Sequence, residues 1–507
     1  MKDTKKISYN IIFGFAAEAL TILLGFVIPR LTLKSFGSEI NGLVNSVSQI
    51  YSYVALLEAG IGTATLQALY KTVANKDKHA TNRILAATDK QYKRTGIFYI
   101  LAIAIFSIVY PLVVKTTIPT MTVVLIIILN GAGSVINYSF TAKYFLLLQA
   151  QGKNYIQTAL YMATNMLKNI SRIVLLMLGF DIISVQAIPM CMTIVQAIYM
   201  LWYVRKHLKW VDISVEPDFK SISQSKNVFV HKIGELVFNN TDNIVLSIFC
   251  GLKVVSVYSM YTMLYSMILT VLGTVSSSLS FKLGQTFHKN KERFMLFYDC
   301  YEIYYTAFVF ALYTVAHHFI LPFIALYTEG ITDIEYIDKA LPWLFIAIYM
   351  LSTGRSAPGL AISISGNFKS TQWRSILESV INIVVSIVCV YFFGIYGVLF
   401  GTIAALFYRT NDMIIFANKR VLHRSPLITY KRWLINVATF FLIAFISSFI
   451  KLDLTSYFKI ILWCVPYTII TLLLFFGIAS LAEPKIAKFA IDLILEKFLK
   501  RNKKELS

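Results

Sequence analysis

Acidic residues are scarce in this chain, and charge of either sign is limited. Asp and Glu number 26 against 47 Lys and Arg in 507 residues, a formal net charge of +21, and charged residues are only 14% of the sequence. Hydrophobic residues make up 57% of it, which excludes an ordinary soluble globular chain. Cysteine is also sparse. Cys191, Cys250, Cys300, Cys389 and Cys464 lie in or beside apolar runs without CxxC spacing. They read as small buried hydrophobes, not as a disulfide framework or a metal site. A P-loop, a GxSxG elbow, an HExxH helix and a DxD on a soluble loop are all missing, so nothing here hydrolyses ATP. Long loops are lacking too: no connection is long enough to fold as a domain, and the outer ones are too short to hold a catalytic cluster.

What the chain does have is hydrophobic runs of about 20 residues, the length that crosses ~30 Å of hydrocarbon. Fourteen candidate spans begin near Ile11, Ile40, Thr95, Pro119, Tyr155, Ile182, Asn227, Val254, Phe297, Lys339, Gln372, Tyr396, Trp433 and Tyr457. Lys2, Lys5 and Lys6 precede the first run as in a signal peptide. That run continues to Leu31 without a cleavage site, so it reads as a span. With the N-terminus inside, inner loops and tails carry 35 of the 47 Lys and Arg, and outer loops carry 7. This asymmetry puts both termini in the cytoplasm. It also assigns the positive charge to topology and not to nucleic acid. Trp343, Trp373 and Trp433 fall at span starts, as interfacial anchors do.

An internal repeat is visible at an offset of 214 residues, which lays Gly37 on Gly251, Tyr51 on Tyr265 and Ser52 on Ser266. The same shift brings spans one to six onto spans seven to twelve. An even number of spans relates the halves by a pseudo-two-fold axis along the membrane normal. The expected organisation is therefore 1–205 as a first lobe, 206–225 as a cytoplasmic linker and 226–418 as a second lobe. Two further spans follow within 432–480. Residues 484–507 form a basic amphipathic tail that is expected to lie on the inner leaflet.

Ionisable groups inside spans are functional candidates by default, because burying them in lipid is costly. Lys168 and Arg172 stand one turn apart on the fifth span, with no acid in that helix. The offset lays them on Asn382 and Ser386. Arg355 sits in STGRSAPG, where Pro358 and two glycines predict a local break, and Arg30 follows Pro29 at the outer end of span one. Lys232, Glu235, Asn239 and Asp242 share an arc of roughly 80° on span seven. Glu18 and Glu378 are the other acids facing polar neighbours, and Glu58 reads equally as an intramembrane acid or as one solvated at the inner interface. Arg409 and Asp412 read as an internal ion pair, and Lys232 with Glu235 as either a pair or a substrate contact. His317 and His318 lack metal-ligand spacing.

NVFVHKIGELVFNNTDNIVLSIFCGL, followed by VVSVYSMYTMLYSMI, resembles the seventh and eighth helices of bacterial polysaccharide exporters. FGSEINGLVNSVSQIYSYVALLEAGIGTATLQALYK is similar to their second helix. The resemblance is to the MATE/MurJ/Wzx (MOP) superfamily, in its O-antigen, capsule and teichoic acid flippase branch. It implies an all-α polytopic membrane protein with about 14 transmembrane helices, in which two six-helix lobes form a V and two C-terminal helices are added. It also implies a basic cavity that exports an undecaprenyl-pyrophosphate-linked oligosaccharide across a bacterial cytoplasmic membrane. Candidate substrate contacts are Arg30, Lys168, Arg172, Lys232 and Arg355. Candidate coupling or structural acids are Glu18, Glu235, Asp242 and Glu378. No cofactor is indicated; Na+ or H+ is a candidate coupling ion, membrane lipids surround the chain, and a polysaccharide polymerase is a candidate partner. The helix-one Arg-Asp pair of peptidoglycan-precursor flippases is missing, which argues against that substrate. The alternatives are a cation-coupled multidrug exporter of the same superfamily and, in a different class, an integral-membrane sugar polymerase or ligase.

Overall fold

The computed structural model describes residues 2–58, 61–222, 241–366, 368–450 and 452–505, so Lys232, Glu235 and Asn239 lie outside the described residues. All regular structure among them is helical. Nine of these helices are long and apolar enough to cross a membrane, which makes the chain multi-pass. The chain divides into two compact units, Met1–Ser259 with Gly330–Ile334 and Met260–Glu329 with Glu335–Ser507.

In the first unit, α1 (Lys2–Val54) carries the first two expected spans end to end. Only Gly37 leaves helical geometry; its φ of 79° is one that side chains rarely adopt. α2 (Ile61–Ala74), α3 (Lys78–Val113), α4 (Thr120–Ile136), α5 (Ala142–Ala150), α6 (Asn154–Met177) and α7 (Ile182–His207) follow. A π turn, Asn137–Thr141, joins α4 to α5. Leu43, Val47, Tyr99, Val123 and Ile126 form the core, while α3 turns Ile97, Ile105, Ile108 and Leu112 outward. Such an apolar outer face would be a liability in water and is the expected one in lipid. Helix ends are capped locally. Asp77 Oδ1 accepts the Ala80 N–H at 2.9 Å, and Asp181 Oδ2 accepts that of Ile183 at 3.0 Å. The Ser184 hydroxyl on Asp181 also holds that carboxyl below its ordinary pKa.

The first unit also takes in residues 241–259, which pack on α1. Asn41 Nδ2 donates to Ser256 Oγ at 2.7 Å, and a Cβ on Gly42 would collide with the Leu252 carbonyl. The Tyr53 and Thr241 hydroxyls lie 2.6 Å apart, and the Tyr258 hydroxyl donates to Asp242 Oδ2 at 2.7 Å.

In the second unit the helices are α8 (Leu252–Lys289, whose start belongs to the first unit), α9 (Lys291–Tyr327), α10 (Leu341–Gly354) and α11 (Ser356–Ile364). They continue as α12 (Phe368–Phe393), α13 (Ile395–Phe416), α14 (Leu427–Ser448), α15 (Tyr457–Ala482) and α16 (Pro484–Glu505). The basic tail is thus helical through Glu505. Trp433, expected at an interface, instead lies against Gly354 at the end of α10, where a Cβ would strike its ring. His317 packs on Trp343 and Phe440, and His318 stacks on Tyr467, so both serve an aromatic cluster.

The 214-residue offset has structural content. Gly37 and Gly251 both adopt positive φ, 79° and 87°. Tyr51 donates its hydroxyl to the Ile127 carbonyl at 2.7 Å, and Tyr265 to the Pro342 carbonyl at 3.3 Å. Tyr99 shares the core of Tyr51, and Tyr313, at the same offset, lies 6.1 Å from Tyr265 between ring centroids. Equivalent tyrosines therefore tie equivalent helices.

Candidate anion-binding site

Every polar side chain of α6 from Gln157 to Arg172 falls in one arc of about 160° at 100° per residue. Tyr155, Met162, Leu167, Ile170 and Val174 project from the opposite side and are exposed. α6 is long enough to span, yet its polar face keeps it out of the nine most apolar helices. Lys168 and Arg172 are half-buried on this face, and Arg172 Nε is buried without a hydrogen-bond partner. Among the described residues no carboxylate lies at ion-pairing distance from either. Beyond Arg172, Leu175 and Leu176 join Ile28, Leu31 and Val185 in an apolar cluster that closes this end of the α1–α6–α7 group. At the other end, Gln196 of α7 donates to Thr164, itself buried.

The equivalent face in the second half is used differently. Asn382 and Ser386 are fully buried, and Asn382 Nδ2 donates to Thr402 Oγ1 at 3.0 Å while Ser386 bonds the Val398 carbonyl at 3.3 Å. Gly397 and Gly401 permit this. A Cβ on either would overlap the Cys389 backbone or Ser386. At the same offset α7 carries Ile183 and Ala187 in place of the two glycines. The polar stripes correspond in sequence and each keeps one buried atom without a partner, Arg172 Nε on the first and Asn382 Oδ1 on the second, but only the first carries charge.

Arg355 occupies the predicted break, between α10 and α11, but it does not stand alone. Its Nη1 donates to Glu378 Oε1 at 2.6 Å, and Arg409 Nε lies 3.5 Å from Glu378 Oε2. Arg409 Nη1 also holds Asp412 Oδ2 at 2.8 Å, as expected, and Arg374 bonds the other oxygen of Asp412. The partner of Arg355 comes from a different helix, α12, and not from its own local sequence. Three arginines against two carboxylates leave one positive charge in this cluster. Arg30 is half-buried on α1, Glu18 falls within α1, and Asp242 is buried beside Tyr258.

Three charged constellations were missed. Asp89 and Lys143 are both buried and paired, with Lys93 on the second Asp89 oxygen at 2.9 Å. Arg424 and Arg432 converge on Asp299 and Glu302 of α9, and Arg432 Nη2 reaches Glu483 at 2.7 Å. Glu58 accepts hydrogen bonds from Tyr92 and Tyr138. Loop proximity disguised the first two as topology charges. An apolar cavity of about 490 Å³ in the second unit, between Val275, Tyr301, Tyr305 and Phe476, has no charged lining and is no headgroup site.

No family model and no curated protein sequence matches the chain. Solved structures do. The chain is similar to the lipid II flippase MurJ in an inward closed conformation, with a TM-score of 0.68 and 14% identity, covering 93% of this chain and 99% of that one. It is also similar to an inward-facing multidrug resistance MATE family transporter of the MOP superfamily, with a TM-score of 0.63, 14% identity, and 79% and 95% coverage. An outward-facing transporter of that description aligns at 0.53, again with 14% identity, over 80% of this chain and 95% of that one. The chain has the all-helical fold of these carriers.

Proposed function

We propose that the chain is a MOP-superfamily flippase. It would carry an undecaprenyl-pyrophosphate-linked oligosaccharide from the cytoplasmic to the outer leaflet by alternating access, for assembly of a surface polysaccharide. The observation that carries this is the pair Lys168 and Arg172, side by side on a membrane helix without a carboxylate among the described residues. A pyrophosphate cannot enter hydrocarbon unpaired. Two cations one turn apart replace its water with charge-assisted hydrogen bonds, while the polyprenyl tail stays in lipid. A carrier of cations prefers carboxylates, and the α6 face has none, so the multidrug reading has less support. Arg30 and Lys232 are proposed as further contacts. Arg355 joins them only by exchanging Glu378 for the substrate.

The test is genetic and chemical. Deleting the gene is expected to leave undecaprenyl-linked sugars inside and to remove the surface polymer. Lys168→Ala or Arg172→Ala is expected to cut export at least about tenfold, the low end for one charge-assisted hydrogen bond, with normal membrane insertion. Full export by both variants overturns the site. Unchanged glycan with altered drug sensitivity overturns the substrate.

A further inference from the structure

Three connections of the first unit meet around a cavity of about 260 Å³: the α2–α3 turn, the α5–α6 turn and the linker after α7. The first supplies Thr72, Lys76, Lys78 and Thr81, the second Gln151 and the linker Trp210. α2 ends in a Schellman motif: the Lys76 N–H donates to the Val73 carbonyl at 3.1 Å, and that of Asp77 to the Thr72 carbonyl at 3.0 Å. The turning residue of this motif has positive φ and is usually glycine, yet here it is Lys76, at φ 55°. Backbone strain of this kind persists where a site uses the residue. Lys78 Nζ lies 5.9 Å from the centre of the Trp210 ring, and Asn82 Nδ2 donates to the Trp210 carbonyl at 3.1 Å, which fixes ring and ammonium together.

Among the described residues, neither Lys76 nor Lys78 has a carboxylate at ion-pairing distance. Asp77 is the acid on the cavity wall, and its Oδ1 is taken by the Ala80 N–H at the start of α3. Gln151 Oε1 and Asn82 Oδ1 are buried without a hydrogen-bond partner, which is rare in a native fold. Two ammonium groups beside an aromatic face and an unmet amide suit an anion that carries further polar groups. The length of α3 sets the height of the cavity. Lys78 precedes Thr95, where the span is expected to begin, by 17 residues, about 25 Å of helix. A headgroup layer is only about 5–8 Å deep. Ile84, Leu85 and Ala87, in this part of α3, pack with Leu208 and Ile222 of the linker, and the exposed apolar row starts only at Ile97. The cavity therefore stands clear of the bilayer, in water.

We propose that this cavity binds the phosphate group of a small soluble compound, held by Lys76 and Lys78, with Trp210 and Gln151 against the rest of the molecule. Bound there, the compound bridges the linker to the α2–α3 turn. The site does not depend on the α6 pair, and full-length protein carrying both Lys168→Ala and Arg172→Ala removes that pair from the measurement. In phosphatidylcholine nanodiscs this protein is expected to bind labelled inorganic phosphate at one site per chain in equilibrium dialysis. Adding Lys78→Gln is expected to weaken binding at least about tenfold, the effect of one hydrogen bond to a charged group. Adding Lys76→Gly is expected to weaken it equally and to raise the unfolding temperature, because glycine takes positive φ freely. A variant of raised stability cannot owe its lost binding to misfolding. Bound phosphate is expected to slow amide exchange across residues 208–213. No phosphate binding by the parent protein, or full binding by both added variants, overturns the site, and exchange unaltered by bound phosphate overturns the bridge. In phosphatidylglycerol nanodiscs at physiological salt, which screens the surface charge over this distance, the affinity is expected to be unchanged. Competition by that lipid would make the occupant a headgroup and overturn the soluble assignment.

Discussion

At the scale of single residues, the intramembrane cations separate by what neutralises them. Arg355 is held by Glu378, which is buried and also faces Arg409. Removing Arg355 strands part of that carboxylate's charge. Arg355→Ala is therefore expected to lose about 3 kcal/mol of stability, the low end for breaking a buried pair, since Arg409 remains. Lys168→Ala strands nothing among the described residues and is expected to leave stability unchanged or raised. Thermal unfolding of the two purified variants in detergent checks this, and equal losses would refute the distinction. The sequence made Lys168 and Arg172 legible as a pair because both partners of an i,i+4 spacing lie in one helix. It could not place Glu378 against Arg355, because helices bring together residues 23 positions apart by packing that no local pattern records. Glu58 was hidden for a related reason: its neighbours are tyrosines 34 and 80 residues on.

At the scale of elements, two contacts decide how the helices of the second unit are held. α12 and α13 approach across Gly397 and Gly401 so closely that any side chain would overlap the facing backbone or Ser386. Gly401→Val is expected to cost about 1–3 kcal/mol by overpacking, read as a lowered unfolding temperature. Ala187→Val, at the equivalent position in α7, is expected to cost less, because that half-buried position already accommodates a Cβ. The second contact fastens the C-terminal pair. Glu302 on α9 accepts from Arg424 and from Arg432, while its Oε1 accepts the Thr429 hydroxyl at 2.8 Å. Arg432 Nε and Nη2 both bond Glu483 at 2.7 Å. Glu302→Gln removes one of the anions that two buried arginines share and is expected to cost about 3 kcal/mol, the low end for breaking a buried pair, since Asp299 and Glu483 remain. Limited proteolysis should then cut between α13 and α14 faster than in the wild type; an unchanged digest would show that apolar packing alone holds α14 and α15. Periodicity announced both helices but not their fastening, since Arg424 and Arg432 stand where inner-loop charges stand.

At the scale of the molecule, hydrophobic run length and the 214-residue repeat made the all-helical, multi-pass fold legible, because both follow from the thickness of the bilayer and not from any contact. The span at α6 was legible by its length although its polar stripe keeps it out of the most apolar helices. Orientation rests on charge alone. The segments assigned by this charge to the inner side carry 35 of the 47 Lys and Arg, and the segment after α9 instead gathers Glu329, Asp333, Glu335 and Asp338. Positive loops are retained on the cytoplasmic side, whereas acidic residues contribute little to the choice. In a cysteine-free background, Glu335→Cys, an exposed position, is expected to react with a membrane-impermeant maleimide in intact cells. Ser507→Cys is expected to react only after the membrane is opened. The reverse pattern would invert the chain but not the electrical driving force, because an inside-negative potential drives a bound anion outward by about 2.3 kcal/mol per charge per 100 mV whichever way the carrier is inserted. Collapsing the potential with an ionophore separates the remaining possibilities. Export that stops with the potential is driven by the substrate's own charge, and export that survives the collapse draws on a different gradient.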